Sequence, residues 1–104
     1  MRKYRIRYSV EFVNNLEKIL QDLELKSISA SNNFRDEIKA KLDTLTKNPF
    51  LWGKIISPFK RLEKYRRIIL IYDYLIFYII DDNAKTVYIV DIFNAKQDYW
   101  HLLT

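Results

Sequence analysis

The residues best suited to chemistry in this chain are basic side chains between positions 54 and 67. This basic cluster comprises Lys54, Lys60, Arg61, Lys64, Arg66 and Arg67. Its cations could neutralise phosphates, and an exposed Trp52 or Tyr65 beside them could stack on nucleic-acid bases. The same residues could instead form a solvated sheet edge, where lysines prevent aggregation. On a strand, Arg66 and Arg67 would point to opposite faces.

Residue counts exclude several kinds of site. Gly53 is the only glycine, so neither a phosphate-binding P-loop nor a dinucleotide-binding glycine turn can form. His101 is the only histidine and cysteine is absent, which excludes a structural zinc site and two-histidine ribonuclease chemistry within one chain. We therefore expect no cofactor and no metal. Metal-free RNA cleavage stays open, because Arg and Lys can stabilise a phosphorane while a Lys, Tyr or His moves protons.

The charge balance favours an anionic partner. The chain has 18 Lys and Arg against 13 Asp and Glu, a net charge of +5. Such a surface suits a nucleic acid or an acidic protein, although a soluble surface with a lysine excess would look the same. The basic start MRKYRIRY leads into no apolar stretch, and no apolar run approaches the ~20 residues that span a bilayer. We expect a cytoplasmic protein without a membrane contact.

The first half of the chain predicts a strand and two helices. Lys3, Arg5 and Arg7 alternate with apolar residues, which is typical of a half-buried strand with a basic outer face. Ser9 is placed to cap the helix that follows. The predicted elements are a strand at Arg2–Ser9, helices at Val10–Leu25 and Phe34–Lys47, and a polar, serine-rich connection at Lys26–Asn33.

The second half predicts three strands. Two runs rich in Tyr, Phe, Ile and Val flank Asp81–Lys85, which indicates a hairpin with a loop of five residues. The first run is apolar on both faces and should be an interior strand. The predicted elements are an irregular stretch at Phe50–Phe59, strands at Arg67–Tyr72, Tyr74–Ile80 and Thr86–Phe93, and a short helix at Asn94–Thr104 with a capping box of Asn94 and Gln97.

This order predicts an α+β fold of two layers in one domain, residues 1–104. The last three strands must be antiparallel because their connections are short. The helical hairpin should cover one face of the sheet.

The elements and several short motifs resemble the RelE/ParE superfamily of bacterial toxins, with the ParE-like branch closest. The motifs are 73–81 (DYLIFYIID), 86–92 (TVYIVDI) and 94–99 (NAKQDY). The resemblance implies a plasmid-stabilisation type of toxin that a cognate antitoxin wraps and neutralises. Its target would be DNA gyrase in the ParE-like branch, or messenger RNA at the ribosome in the RelE-like branch.

Departures from the family bear on the target. RelE-like ribonucleases carry an arginine where this chain has Leu75, and the loss would remove transition-state stabilisation. Asn94 and Lys96 also replace the usual histidine and arginine of the ParE-like terminal segment. If the protein is a ribonuclease, the resemblance and the basic surface point to Arg61, Arg66, Arg67, Lys96, Tyr99 and His101 as catalytic residues. Lys54, Lys60, Lys64 and Asp98 are the candidate target-binding residues.

Three hypotheses follow. The first is a ParE-like toxin that binds a protein target, which fits Leu75. The second is a metal-free messenger RNA endoribonuclease of the RelE type. The third is an inactive member that only binds its antitoxin. An acidic antitoxin segment should dock on the sheet or on the helical hairpin.

Overall fold

The computed structural model describes residues 3–97 and 102–103 and confirms the α+β fold. Short 3₁₀ turns lie at Lys60–Leu62 and Ile71–Asp73. The elements are β1 (Arg5–Tyr8), α1 (Val10–Lys26), α2 (Ile28–Leu45), β2 (Arg66–Ile69), β3 (Tyr74–Asp81) and β4 (Thr86–Asn94). Residues 95–97 form a turn and a bend, and the rest of the predicted C-terminal helix lies mostly outside the described residues.

The connection between the two helices is far shorter than the sequence predicts. The expected loop at Lys26–Asn33 is wrong, since only Ser27 separates α1 from α2. The Ser27 amide donates to the Leu23 carbonyl (2.7 Å), and its hydroxyl accepts from the Ala30 amide (3.1 Å). One serine therefore ends the first helix and caps the second. The serines that follow lie in the first turns of α2, where buried Ser31 donates to the carbonyl oxygen of Leu20.

The sheet has the strand order β1-β4-β3-β2, with β3 in the interior as predicted. The pairs β2–β3 and β3–β4 are antiparallel, whereas β1 pairs with β4 in parallel. The parallel pair is possible because the helical hairpin carries the chain back across the sheet between these strands. The β3–β4 loop contains residues 82–85, one fewer than expected, because Asp81 still belongs to β3.

The predicted strand at Arg67–Tyr72 is shifted and shortened to Arg66–Ile69. Tyr72 and Asp73 have φ angles of 61° and 62°, which end β2 in a tight turn. Leu70 lies opposite Tyr74, so Ile71, Tyr72 and Asp73 form a three-residue hairpin loop in which two residues have positive φ angles. The turn starts β3 directly at Tyr74, and the amide of Leu70 donates to the carbonyl of Tyr74 (2.9 Å).

The main core lies between the helical hairpin and one face of the sheet, as predicted. Its largest fully buried side chains include Phe34 of α2 and Tyr78 of β3. The buried members are Phe12, Phe34, Ile38, Leu42, Leu45, Ile68, Leu70, Ile76, Tyr78, Val87, Ile89 and Ile92.

A second cluster covers part of the opposite face of the sheet. The irregular segment between α2 and β2 folds back and packs Ile55, Leu62 and Tyr65 on that face. These side chains bury Phe77 of β3 and Phe93 of β4. The two layers of the predicted fold are therefore supplemented by a partial third layer. The half of this face that β1 and the start of β4 form is left open, with Arg5, Arg7 and Tyr88 exposed.

Candidate functional site

The structure separates the two adjacent arginines of the basic cluster, as their strand alternation predicts. Arg66 lies opposite Tyr78 and Arg67 lies opposite Phe77 in the β2–β3 pair. Tyr78 belongs to the core under the helices, and Phe77 belongs to the cluster on the other face. Directly opposite residues share a face, so the two arginines point to different sides of the sheet. They cannot grip one phosphate together from these strand positions.

Arg66 is tied to the segment that follows α2. Its guanidinium donates to the carbonyl oxygen of Trp52 (2.6 Å) and lies 5.2 Å from the ring centre of Phe50. The side chain is half-buried. A cation–π contact together with a charge-assisted hydrogen bond holds the arginine in one orientation. Arg66 therefore shapes this region as well as adding charge.

Three cations of the basic cluster line one shallow cleft of about 280 Å³. Lys54, Lys64 and Arg66 surround it together with the half-exposed ring of Phe50. Asp82 is the carboxylate that lines the cleft, and hydrogen bonds from Lys85 and then from Tyr4 lower its pKa. Because Asp82 is already paired with Lys85 (2.8 Å), the cleft has an excess of positive charge. We call it the basic cleft.

Lys60 and Arg61 lie apart from the residues that line the basic cleft. Both are exposed and belong to the 3₁₀ turn at Lys60–Leu62, whose Leu62 is buried in the second cluster. The Arg61 guanidinium lies 4.8 Å from the ring centre of Phe59. Their position on a separate turn makes them peripheral to the basic cleft.

The remaining candidates follow β4. Lys96 is exposed in the turn, where its amide donates to the side-chain oxygen of Asn94 (2.9 Å). The Asn94 amide donates to the side chain of Gln97 (2.9 Å), so the two residues of the predicted capping box do bond. Asn94 and Arg66 are separated by four residues along β3 and by two strand spacings, a Cα distance of roughly 16 Å. Asp98, Tyr99 and His101 lie outside the described residues.

The two aromatic residues expected to stack on bases are less exposed than the sequence predicts. Tyr65 is only 2% exposed. Trp52 is half-buried, its indole N–H is buried without a hydrogen-bond partner, and the Lys41 ammonium lies 5.3 Å from its ring centre. The exposure predicted for Tyr65 is therefore wrong, because the irregular segment folds its ring inward, and Trp52 is only partly exposed. Tyr88 is an exposed aromatic residue beside a strand cation, and the apolar alternation of β4 could have shown this, since Val87 and Ile89 face the core.

Two further buried side chains bear on the chemistry. Burial raises the pKa of Tyr78 to about 12, although the nearby positive charge of Arg66 opposes the shift. The Tyr78 hydroxyl donates to the carbonyl of Pro49 (2.7 Å). A phenol with that pKa cannot act as a base near neutral pH.

Leu75, where RelE-like ribonucleases carry an arginine, is buried beside Phe77 and Phe93. Among the described residues, no group of acidic side chains could hold a metal ion.

An apolar groove runs along the surface where the two helices meet β1. It measures about 340 Å³, and Val13 and Tyr8 are partly exposed in it. Tyr8 stacks on Phe12 with ring centres 5.8 Å apart, and burial followed by the charge of Asp43 raises its pKa. The groove is lined by Tyr8, Phe12, Val13, Leu16, Ile38 and Leu42, with Arg35 and Lys39 at its margin. We call it the helical groove.

The sequence matches a known protein family. The sequence model for the ParE toxin of type II toxin–antitoxin system, parDE, matches residues 6–99. The chain belongs to the ParE toxin family. The match includes both helices and all four strands except for Arg5. No curated protein sequence matches the chain.

Solved structures share the fold of this ParE-family chain. The chromosomal ParDE system from P. aeruginosa aligns with a TM-score of 0.68 at 12% identity, covering 90% of this chain and 98% of that chain. The intact E. coli RelBE complex gives 0.62 at 14% identity, covering 90% and 99%. The RelBE2 complex from Mycobacterium tuberculosis gives 0.57 at 21% identity, covering 92% and 97%. None of the helices among residues 3–97 is long and apolar enough to cross a membrane.

Proposed function

We propose that this ParE-family toxin arrests growth in the cytoplasm by binding a protein target such as DNA gyrase, and that a cognate antitoxin neutralises it. The observation that carries the proposal is the dispersal of the candidate catalytic groups. Arg66 and Arg67 face opposite sides of the sheet, and Lys96 follows a strand end roughly 16 Å from Arg66.

RNA cleavage needs groups that converge on one phosphate. A proton-transfer group must come within hydrogen-bond reach of the reacting oxygen, and cations must surround the charge that develops there. Leu75 places a buried apolar side chain where the RelE-like branch has its arginine. Tyr78, which lies opposite Arg66, has a pKa of about 12 and therefore cannot act as a base near neutral pH. A surface that binds a protein does not require such convergence.

The basic cleft supports the second candidate, an RNA-cleaving toxin. Lys54, Lys64 and Arg66 form a cationic surface that could hold an RNA backbone. The same surface equally suits an acidic region of a protein target. The two candidate functions therefore differ in the partner's fate: the ribonuclease would cut its bound RNA, whereas the protein-binding toxin would inhibit its target without cutting it.

The helical groove supports an antitoxin as the partner. Its floor is apolar, and Arg35 and Lys39 lie at its margin, so it fits an amphipathic helix with an acidic face. Similar chains from E. coli and M. tuberculosis were solved in toxin–antitoxin complexes. Because apolar burial would hold the final complex while charge steers the encounter, salt should slow association more than it weakens the complex.

The test is expression of this chain without an antitoxin, followed by pulse labelling of DNA and protein synthesis. We expect DNA synthesis to fall first while translation continues. Replacing Lys54 and Lys64 together with Gln should relieve the arrest, because these substitutions remove charge from the basic cleft. Lys18→Gln with Lys26→Gln removes the same charge from α1 and serves as the control.

Two outcomes would contradict the proposal. An early loss of translation, with messenger RNA cut by the purified protein, would establish the ribonuclease. Normal growth with folded protein present would establish an inactive member of the family. Supercoiling by purified gyrase in the presence of the toxin provides a direct check on the named target.

A further inference from the structure

An open strip of the sheet lies on the face opposite the helices. Arg5 and Arg7 project from β1 on this face, because Tyr4 and Ile6 pack into the core on the other. Arg7 lies opposite Tyr88 of β4, and Tyr88 lies opposite Ile79 of β3. Tyr88 is 41% exposed between these neighbours. The result is a row across three strands with a cation at one end and an aromatic ring in the middle.

The row continues into the basic cleft. Ile79, which ends the row on β3, also lines the cleft together with Lys54 and Lys64. Neighbouring strands lie about 4.8 Å apart, so β1 and β3 are separated by about 10 Å. Two basic groups that are distant in sequence, the arginines of β1 and the lysines beside Ile79, thus lie at opposite ends of the row that contains Tyr88. We call this surface the sheet-face track; it consists of Arg5, Arg7, Ile79, Tyr88 and Lys64.

A concave pocket of about 260 Å³ lies beside Tyr88. Arg7 and Tyr88 line it together with Val90, the residue at which β4 bulges out of register with β3. The Ser9 hydroxyl donates to the carbonyl of Val90, and the Ser9 amide donates to the carbonyl of Ile89 (3.0 Å). These bonds fix the bulge and therefore the shape of the pocket.

We propose that the sheet-face track binds single-stranded nucleic acid, with a base stacked on Tyr88 and phosphates on Arg5, Arg7 and Lys64. Binding would require no catalysis, and it depends on Arg5, Arg7 and Tyr88, which lie outside the basic cleft, while Lys64 is common to both surfaces. Alternate strand residues are about 6.6 Å apart, so Arg5 and Arg7 can meet successive phosphates of an extended strand. On β3, Asp81 lies two residues beyond Ile79, and its carboxylate accepts a hydrogen bond from the amide of Ala84 (3.1 Å).

The aromatic ring favours a nucleic acid over an acidic peptide. Carboxylates and phosphates both suit the forked guanidinium of arginine. A nucleic-acid base also gains stacking energy on an exposed tyrosine ring. This gain is similar for all bases, because every base has a flat aromatic face. An acidic chain without aromatic groups would use the cations and leave Tyr88 and the pocket unused.

The test is fluorescence anisotropy of the purified full chain with a labelled oligothymidylate of about 12 nucleotides, a length within the range such surfaces bind. Tyr88→Ala should weaken binding by about 5- to 150-fold, whereas Tyr88→Phe should keep it within about two-fold. Arg5→Gln with Arg7→Gln should reduce the slope of log affinity against log salt by about 1.4. Tyr72→Ala, which removes a tyrosine of similar exposure (44%) from the β2–β3 turn, is the control.

Circular dichroism and thermal melting would establish that each variant is folded. Equal binding by the wild type and the Tyr88 and arginine variants would overturn the proposal. So would preferential binding of a labelled polyglutamate peptide that displaces the oligonucleotide, because the occupant would then be an acidic polypeptide. Arrest of DNA synthesis in cells is a separate readout, so the two proposals fail independently.

Discussion

Removing the Tyr78 hydroxyl should change the stability of this protein in opposite directions at neutral and alkaline pH. The ring is fully buried, and its hydroxyl donates to the carbonyl of Pro49 at 2.7 Å. Tyr78→Phe keeps the ring and deletes the hydroxyl, which also interacts with the backbone of Trp52. The substitution therefore tests the polar contacts between β3 and the segment that follows α2.

At neutral pH the variant should be less stable. Deleting one partner of a buried hydrogen bond leaves the Pro49 carbonyl unsatisfied, which costs about 1–3 kcal/mol. For a domain of this size, about 1 kcal/mol corresponds to a shift of roughly 4 °C or more in the melting temperature. We expect a loss near the lower end, because the phenylalanine ring still fills the site.

Above pH 10 the order should reverse. The folded protein holds the pKa of Tyr78 at about 12, whereas the unfolded chain has the ordinary value of 10. The stabilisation by the protonated phenol is complete below pH 10 and is lost as pH rises towards 12, because the unfolded state releases its proton first. The loss is roughly 2–3 kcal/mol, so the variant should become the more stable protein near pH 12.

The assay is urea unfolding of the wild type and Tyr78→Phe between pH 7 and pH 12, read as the difference in the free energy of unfolding. Other tyrosines and lysines titrate in both proteins and cancel in this difference. Tyr88→Phe changes an exposed phenol and should show no crossing. A constant difference across this range would refute the argument that burial raises the pKa of Tyr78.

Two further predictions concern the β2–β3 turn and the helical groove. Asp73→Gly should raise the free energy of unfolding by about 1 kcal/mol, because Asp73 has a positive φ angle, while Tyr72 stays in place since its ring packs on Phe34; unchanged urea stability would show that Asp73 is unstrained. Val13→Glu should abolish capture of the toxin by its co-expressed antitoxin, because a charge enters the apolar groove. Val10→Glu, at a more exposed position of the same helix, should leave capture intact, and equal loss in both variants would count against the groove.

Local periodicity was sufficient to predict most elements. Polar and apolar residues alternate around Arg5, and apolar residues recur at helical spacing in α1. Both patterns repeat within a few residues and mark the buried face, so they can be recognised without the tertiary structure. The apolar runs around Asp81–Lys85 predicted the central hairpin for the same reason. The Ser-rich stretch after Lys26 was mispredicted because serine favours loops and caps, and only packing against α1 made it helical.

The candidate site was less accessible to sequence reasoning. Tyr65 and Trp52 looked available for stacking, but the irregular segment folds back and buries the first ring and half-buries the second. Nothing in the local sequence marks this segment as a cover for the second face. The parallel pairing of β1 with β4 was equally hidden, because strand order depends on contacts between distant parts of the chain.

The sequence by itself determined the family, the kinds of element and the excess of positive charge, since these depend on composition, motifs and short-range periodicity. Tertiary structure alone decided which charges act together. It separated Arg66 from Arg67 across the sheet and brought Arg7 beside Tyr88. Neighbours on a strand point apart by geometry, whereas residues on paired strands meet only when the sheet forms.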